Sequence, residues 1–105
     1  MAGLGKFLKQ AQRMQEQMQK MQEELAQREV EATSGGGTVK AVARCDGSIV
    51  RIKIDPKAVD PGDVEMLEDM VLSAVRNALE LAKKIQNEQM SKLTAGLNLP
   101  PGLNL

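Results

Sequence analysis

Leu4, Phe7, Ala11, Met14, Met18, Met21 and Leu25 recur at alternating spacings of three and four, filling every a and d position of a heptad between residues 4 and 25. Nearly everything between them is Gln, Lys, Arg or Glu. This is the narrow apolar seam of a coiled-coil-like helix, not the broad stripe of an ordinary surface helix. The spacing predicts a helix from about Leu4 to Gln27. So little apolar surface cannot hold a helix alone in water, so it must pack lengthwise against another long element.

Composition sharpens the need for association. A chain of 105 residues is one domain near the lower end of what folds alone. Phe7 is its one aromatic residue, and Trp and Tyr are absent. Met, Ala, Val, Leu and Ile must therefore build the core, and a second copy of the chain is the natural means of completing it. The formal net charge is zero, which gives no overall electrostatic attraction to nucleic acid. The single cysteine, Cys45, excludes an intramolecular disulfide and fits a reducing cytoplasm. With no signal-peptide pattern and no run of about 18 apolar residues, neither secretion nor membrane spanning is expected.

Catalytic chemistry finds few materials here. The chain has no histidine, so it lacks the commonest general base and metal ligand. Zinc needs several Cys or His ligands, and Cys45 stands alone. Cys45 also alternates in phase with Val39, Ala41 and Ala43, the pattern of a small residue on a buried strand face. The expectation is a protein that is not an enzyme, needs no cofactor or metal and takes no small-molecule substrate.

After the first helix the period changes from 3.5 to 2. Val30 and Ala32 alternate with Glu29, Glu31 and Thr33, predicting a short strand. Ser34-Gly35-Gly36-Gly37 breaks the chain, and Thr38 to Cys45 predicts a second strand. Asp46-Gly47 signals a two-residue hairpin turn, and Ser48 to Ile54 a third strand. That turn sets Cys45 opposite Ser48, Ala43 opposite Val50, Ala41 opposite Ile52 and Val39 opposite Ile54, all on one apolar face. An even glycine loop places Ala32 beside Val39 and Val30 beside Ala41 on the same face. Lys40, Arg44, Arg51 and Lys53 then occupy the other, with Glu31 beside Lys40.

Asp60-Pro61-Gly62-Asp63 resembles a helix start with Asp60 as cap, and a second helix is expected to about Lys92. Its apolar residues, from Val64 to Ile85, spread over roughly half the circumference, wide enough to be covered on two sides. The reading is α+β: long helix, three-stranded antiparallel meander, long helix, as one domain over 1–93. Residues 94–105 hold Gly96, Pro100, Pro101 and Gly102 without periodicity and are read as a flexible tail.

Charge is neutral in sum and uneven in place. Residues 1–28 carry five cations against three acids, a net of +2, whereas Asp55 to Asn77 carries two against six, a net of −4. Lys6, Arg13 and Lys20 lie seven residues apart at heptad position c, with Lys9 beside them at f. They line one side of the helix away from the seam, spanning roughly 21 Å, comparable with half a turn of duplex DNA. Arg76, Lys83 and Lys84 add cations on the polar side of the second helix. From pattern alone these charges read either as a solvated flank or as a phosphate-contacting line. Without aromatics, binding of single strands by base stacking is disfavoured. The glycine run is no P-loop, because no Gly-Lys-Ser/Thr opens a helix after it, and the seam methionines read as packing.

Gln10-Ala11-Gln12-Arg13-Met14-Gln15, Met21-Gln22-Glu23-Glu24-Leu25 and Gly35-Gly36-Gly37-Thr38-Val39-Lys40 follow one another in an order that resembles the YbaB/EbfC family of bacterial nucleoid-associated proteins. Ile52-Lys53-Ile54-Asp55-Pro56, Leu67-Glu68-Asp69, Ala74, Asn77-Ala78, Met90 and Gly96-Leu97 continue the resemblance collinearly. It implies a tweezer-like homodimer with the sheets as its body and the helices projecting. It also implies duplex DNA as the partner, a cytoplasmic and nucleoid location, and no catalysis. On that reading Lys6, Lys9, Arg13 and Lys20, with Arg76, Lys83 and Lys84, are the candidate DNA-binding residues. The rival is a structural or adaptor dimer gripping a protein partner with its helices.

Overall fold

A computed structural model of the protein describes residues 2–96. Helix α1 spans Ala2–Gln27, followed by strands β1 (Glu29–Ser34), β2 (Val39–Arg44) and β3 (Ile49–Ile54) and helix α2 (Val64–Gly96). The strands form one antiparallel meander in the order β1-β2-β3. This is the α+β arrangement expected. α2 runs past Lys92 to Gly96, which takes in the first residues assigned to the tail; positions 97–105 of that tail lie outside the described residues.

The core is thin because its contact residues are small. Ala74, Ala78 and Ala82 recur every four residues on α2 and are all buried, facing Val39, Ala41, Ala43 and Cys45 of the sheet. Such spacing puts them on one helix face, and their short side chains let α2 approach the sheet closely. Val30, Met21 and Leu25 complete the buried cluster, with Leu67, Met70, Val71, Val75, Leu79, Ile85 and Leu93 packed partly against it. α2 lies across β1 and β2 and barely reaches β3. On β3, Ile49 and Ile52 consequently remain 38% and 42% exposed.

Turn chemistry differs from expectation at three places. The β2–β3 connection is a three-residue loop, Cys45-Asp46-Gly47, closed by Gly47 N–H donating to the Arg44 carbonyl and Arg44 N–H to the Ser48 carbonyl, at 2.9 and 2.8 Å. Gly47 takes φ +97°, and Asp46 Oδ1 accepts from the Ser48 N–H and hydroxyl. These two bonds tie Ser48 into the loop, so Ala43 faces Ile49 in place of Val50. A bulge between Val42 and Ala43 absorbs the slip, and the expected pairs Ala41–Ile52 and Val39–Ile54 stand.

Around the glycines, Gly35, Gly36 and Gly37 all take positive φ and form a tight left-handed turn, with the Thr38 hydroxyl donating to the Gly35 carbonyl at 2.7 Å. Ser34 can then pair with Val39, so Val30 faces Ala43 and Ala32 faces Ala41, two residues from the expected register but on the same face. Gly35 has φ +59°, and a Cβ there would lie 2.4 Å from the Met70 sulfur. The sharp turn and the close seating of α2 thus demand glycine at one position. Glu31 lies opposite Val42, and reaches Lys40 diagonally at 3.7 Å.

Asp60 does not cap α2. Its carboxylate accepts from Gly62 N–H at 2.9 Å, shaping a turn before the helix. Asp63 is the cap: Oδ1 accepts from Met66 N–H at 3.1 Å, three residues on. Pro61 fits a turn as readily as a first helical position, so the sequence pattern alone does not separate the two starts. Asp63→Ala is expected to cost about 1 kcal/mol in chemical denaturation and Asp60→Ala distinctly less. Equal losses would contradict this assignment of the cap.

Candidate nucleic-acid interface

α1 meets the body only through its second half. Met21 and Leu25 are buried in the same cluster as the alanines of α2, and they line a small crevice with Glu24, Arg28 and Gln89. Met14 and Met18 are half-buried, while Leu4, Phe7 and Leu8 are 60%, 68% and 55% exposed. The first three turns of α1 therefore carry the seam with nothing upon it.

Lys6, Lys9, Arg13 and Lys20 are all exposed. At 100° per residue they fall on the side of α1 opposite Leu4, Phe7 and Ala11, so seam and cations occupy opposed faces. No acid precedes Glu16, and the first turn of α1 has none. The positive end of the helix dipole adds to Lys6 and Lys9 where nothing neutralises them. A net charge of zero for the chain thus coexists with a purely cationic tip.

Arg76, Lys83 and Lys84 are exposed on α2, a separate helix face that the structure does not merge with the α1 line. Lys83 and Lys84 share a shallow open concavity with Glu80, Glu88, Asn87, Ser91 and Lys92. Two carboxylates among these cations dilute the local field, so this group attracts an anion less than the α1 tip does. The ion pairs found among the described residues are Lys40–Glu31 at 3.7 Å and Arg51–Glu29 at 3.1 Å, both on the sheet. None of the seven candidate cations is in either.

Cys45 is buried at the Arg28 end of the sheet, its N–H donating to the Arg28 carbonyl at 2.9 Å. Burial pushes its thiol up, Arg28 partly opposes the shift and Asp46 adds to it. The neutral form is held, the opposite of what a nucleophile needs. Among the described residues no cluster of His, Cys, Asp or Glu could hold a metal ion, and no helix is long and apolar enough to cross a membrane.

A sequence model of the YbaB/EbfC DNA-binding family matches residues 1–97. A nucleoid-associated protein of Thermoanaerobacter pseudethanolicus is 54% identical over 97 residues, covering 92% of this chain and 87% of the relative. One from Paramagnetospirillum magneticum is 46% identical over 105 residues, covering 100% and 98%. In three dimensions the chain is similar to the crystal structure of an uncharacterized protein from Helicobacter pylori, with a TM-score of 0.73 at 19% identity. That match covers 89% of this chain and 95% of the other, and supports the fold.

Cys45 is expected to resist thiol reagents in the folded protein and to react once denaturant is added. Because its folded value is raised, the stability it contributes is complete below the ordinary thiol range and is lost as pH rises through the folded value. Thermal melts at increasing alkaline pH should fall faster for the wild type than for Cys45→Ala. Parallel curves would contradict the buried neutral thiol.

Proposed function

The chain belongs to the YbaB/EbfC DNA-binding family, and we propose that it is a non-catalytic, nucleoid-associated protein that binds duplex DNA as a homodimer, mainly through phosphates. The observation that carries the reading is the acid-free first half of α1, where Lys6, Lys9 and Arg13 stand exposed on one face with no ion pair among the described residues. Long cationic side chains standing exposed along one face of a helix suit a phosphate backbone better than a small ligand. Lys20 extends the line toward the body, and Arg76, Lys83 and Lys84 are secondary contacts. Contacts limited to phosphates position the protein without reading bases, so sequence preference is weak. The relatives' names support a place in the nucleoid.

Dimerisation is supported by what one protomer leaves uncovered: Leu4, Phe7 and Leu8 on α1, Ile49 and Ile52 on β3, and Leu72 on α2, 47% exposed. A second copy covering the β3 face would bury Ile52 and double the number of cationic lines. Ile52→Asp should shift sedimentation toward monomer with the far-ultraviolet helix signal retained, since the residue is not in the protomer core. A wild type that is already monomeric at high micromolar concentration would refute the dimer.

Lys6→Glu with Arg13→Glu is expected to weaken duplex binding at least about tenfold, equally on unrelated sequences, with the thermal melt nearly unchanged. Both side chains point away from the seam, so folding is spared. If the double variant binds as well as wild type, the basic line is a solvated flank. The exposed stripe of Leu4, Phe7 and Leu8 would then favour the adaptor reading.

A further inference from the structure

Packing of Val39, Ala41 and Ala43 against α2 turns the alternate residues of the sheet outward. This outer face carries Lys40 and Arg44 from β2, Arg51 and Lys53 from β3, and Glu29, Glu31 and Thr33 from β1. Lys40 and Lys53 are directly opposite one another, an arrangement in which like charges destabilise strand pairing. Glu31 offsets Lys40 at 3.7 Å and Glu29 offsets Arg51 at 3.1 Å. Arg44 and Lys53 are exposed and have no acid within ion-pair distance among the described residues. Val42, at the centre of this face, is 2% exposed although it belongs to no part of the core beneath α2. Its cross-strand neighbours Glu31 and Arg51 flank it, and their stems and those of Lys40 and Arg44 can close over it, holding the charged heads outward.

We propose that this outer face is a second phosphate-binding surface, which docks a second segment of duplex DNA while the helices hold the first. The inference rests on the DNA-binding reading above. Lys40 and Arg44 are four residues apart, about 13 Å along the strand, and β3 lies about 5 Å to the side. That strip matches roughly four base pairs of backbone, and cations spread over such a length suit a duplex better than a small anion. It has no aromatic platform for single strands. α1 docks through Met21 and Leu25 on the other side of the sheet, the side of α2, so the two cationic surfaces face different ways. Pairing of the apolar surfaces in a dimer leaves the charged outer face open, because desolvating four cations and two acids against protein is costly.

The test is capture of one labelled duplex by another immobilised on beads, with full-length protein saturating the immobilised one and the two duplexes unrelated in sequence. Wild type should capture the second duplex at low salt. Arg44→Glu with Lys53→Glu should bind a single short duplex within about threefold of wild type yet reduce capture at least about tenfold. The neutral pair Arg44→Gln with Lys53→Gln should reduce capture by less, and matching thermal melts separate either result from misfolding. Failure of the wild type to capture, or unchanged capture by the Glu variant, overturns the proposal. Loss of single-duplex binding in that variant overturns it too, since the outer face would then be the main contact. Failure of the α1 reading is read separately, from single-duplex binding by Lys6→Glu with Arg13→Glu.

Discussion

The close seating of Ala74, Ala78 and Ala82 on the sheet is the contact on which the rest of the molecule depends. Three alanines at four-residue intervals give α2 a flat face that can approach Ala41 and Ala43 without large side chains between them. The contact aligns the 33-residue helix with β1 and β2, and leaves β3 almost uncovered. It also makes the core thin, because alanine buries little apolar area. A protomer built this way presents apolar residues it cannot cover itself, notably Ile52 and Phe7. The proposed homodimer would cover that surplus with a second copy of the chain.

The second consequence is reach. With the body stapled near Met21 and Leu25, the first half of α1 extends clear of the sheet, in a molecule 74 Å long and 16 Å thick. On the proposed reading, cations on such an arm would meet a polyanionic partner before the acidic stretch between Asp55 and Asn77 could repel it. Separation of charge along the chain, and not its sum, is what would permit a neutral protein to engage a polyanion in this way.

Much of this was legible in the sequence. Heptad spacing located α1, and the switch to period 2 located the three strands, because both periodicities follow from which face is buried. Registers failed where side chains override pattern. Asp46 binding Ser48 and the Thr38 hydroxyl binding Gly35 each moved a turn by one or two residues, and no hydrophobic alternation encodes them. The cap of α2 was misplaced for the same reason, since Asp60 and Asp63 are equally good carboxylates and only geometry distinguishes them. For the candidate site, the heptad places the cations of α1 on one face but does not reveal their isolation. That depends on how far the helix runs beyond its last packed residue, a tertiary quantity. Nor could it grade Lys83 and Lys84 below them, because the dilution by Glu80 and Glu88 arises on the folded surface of α2.

The central claim is that local cationic surfaces bind duplex phosphates on a protein of zero net charge. Its most direct test is the wild-type association constant for two short duplexes of unrelated sequence, measured from about 50 to 200 mM salt. The account predicts straight, nearly superimposable plots of log affinity against log salt, steep enough to indicate several phosphate contacts per dimer. A flat plot, or tight binding confined to one of the two sequences, would contradict it.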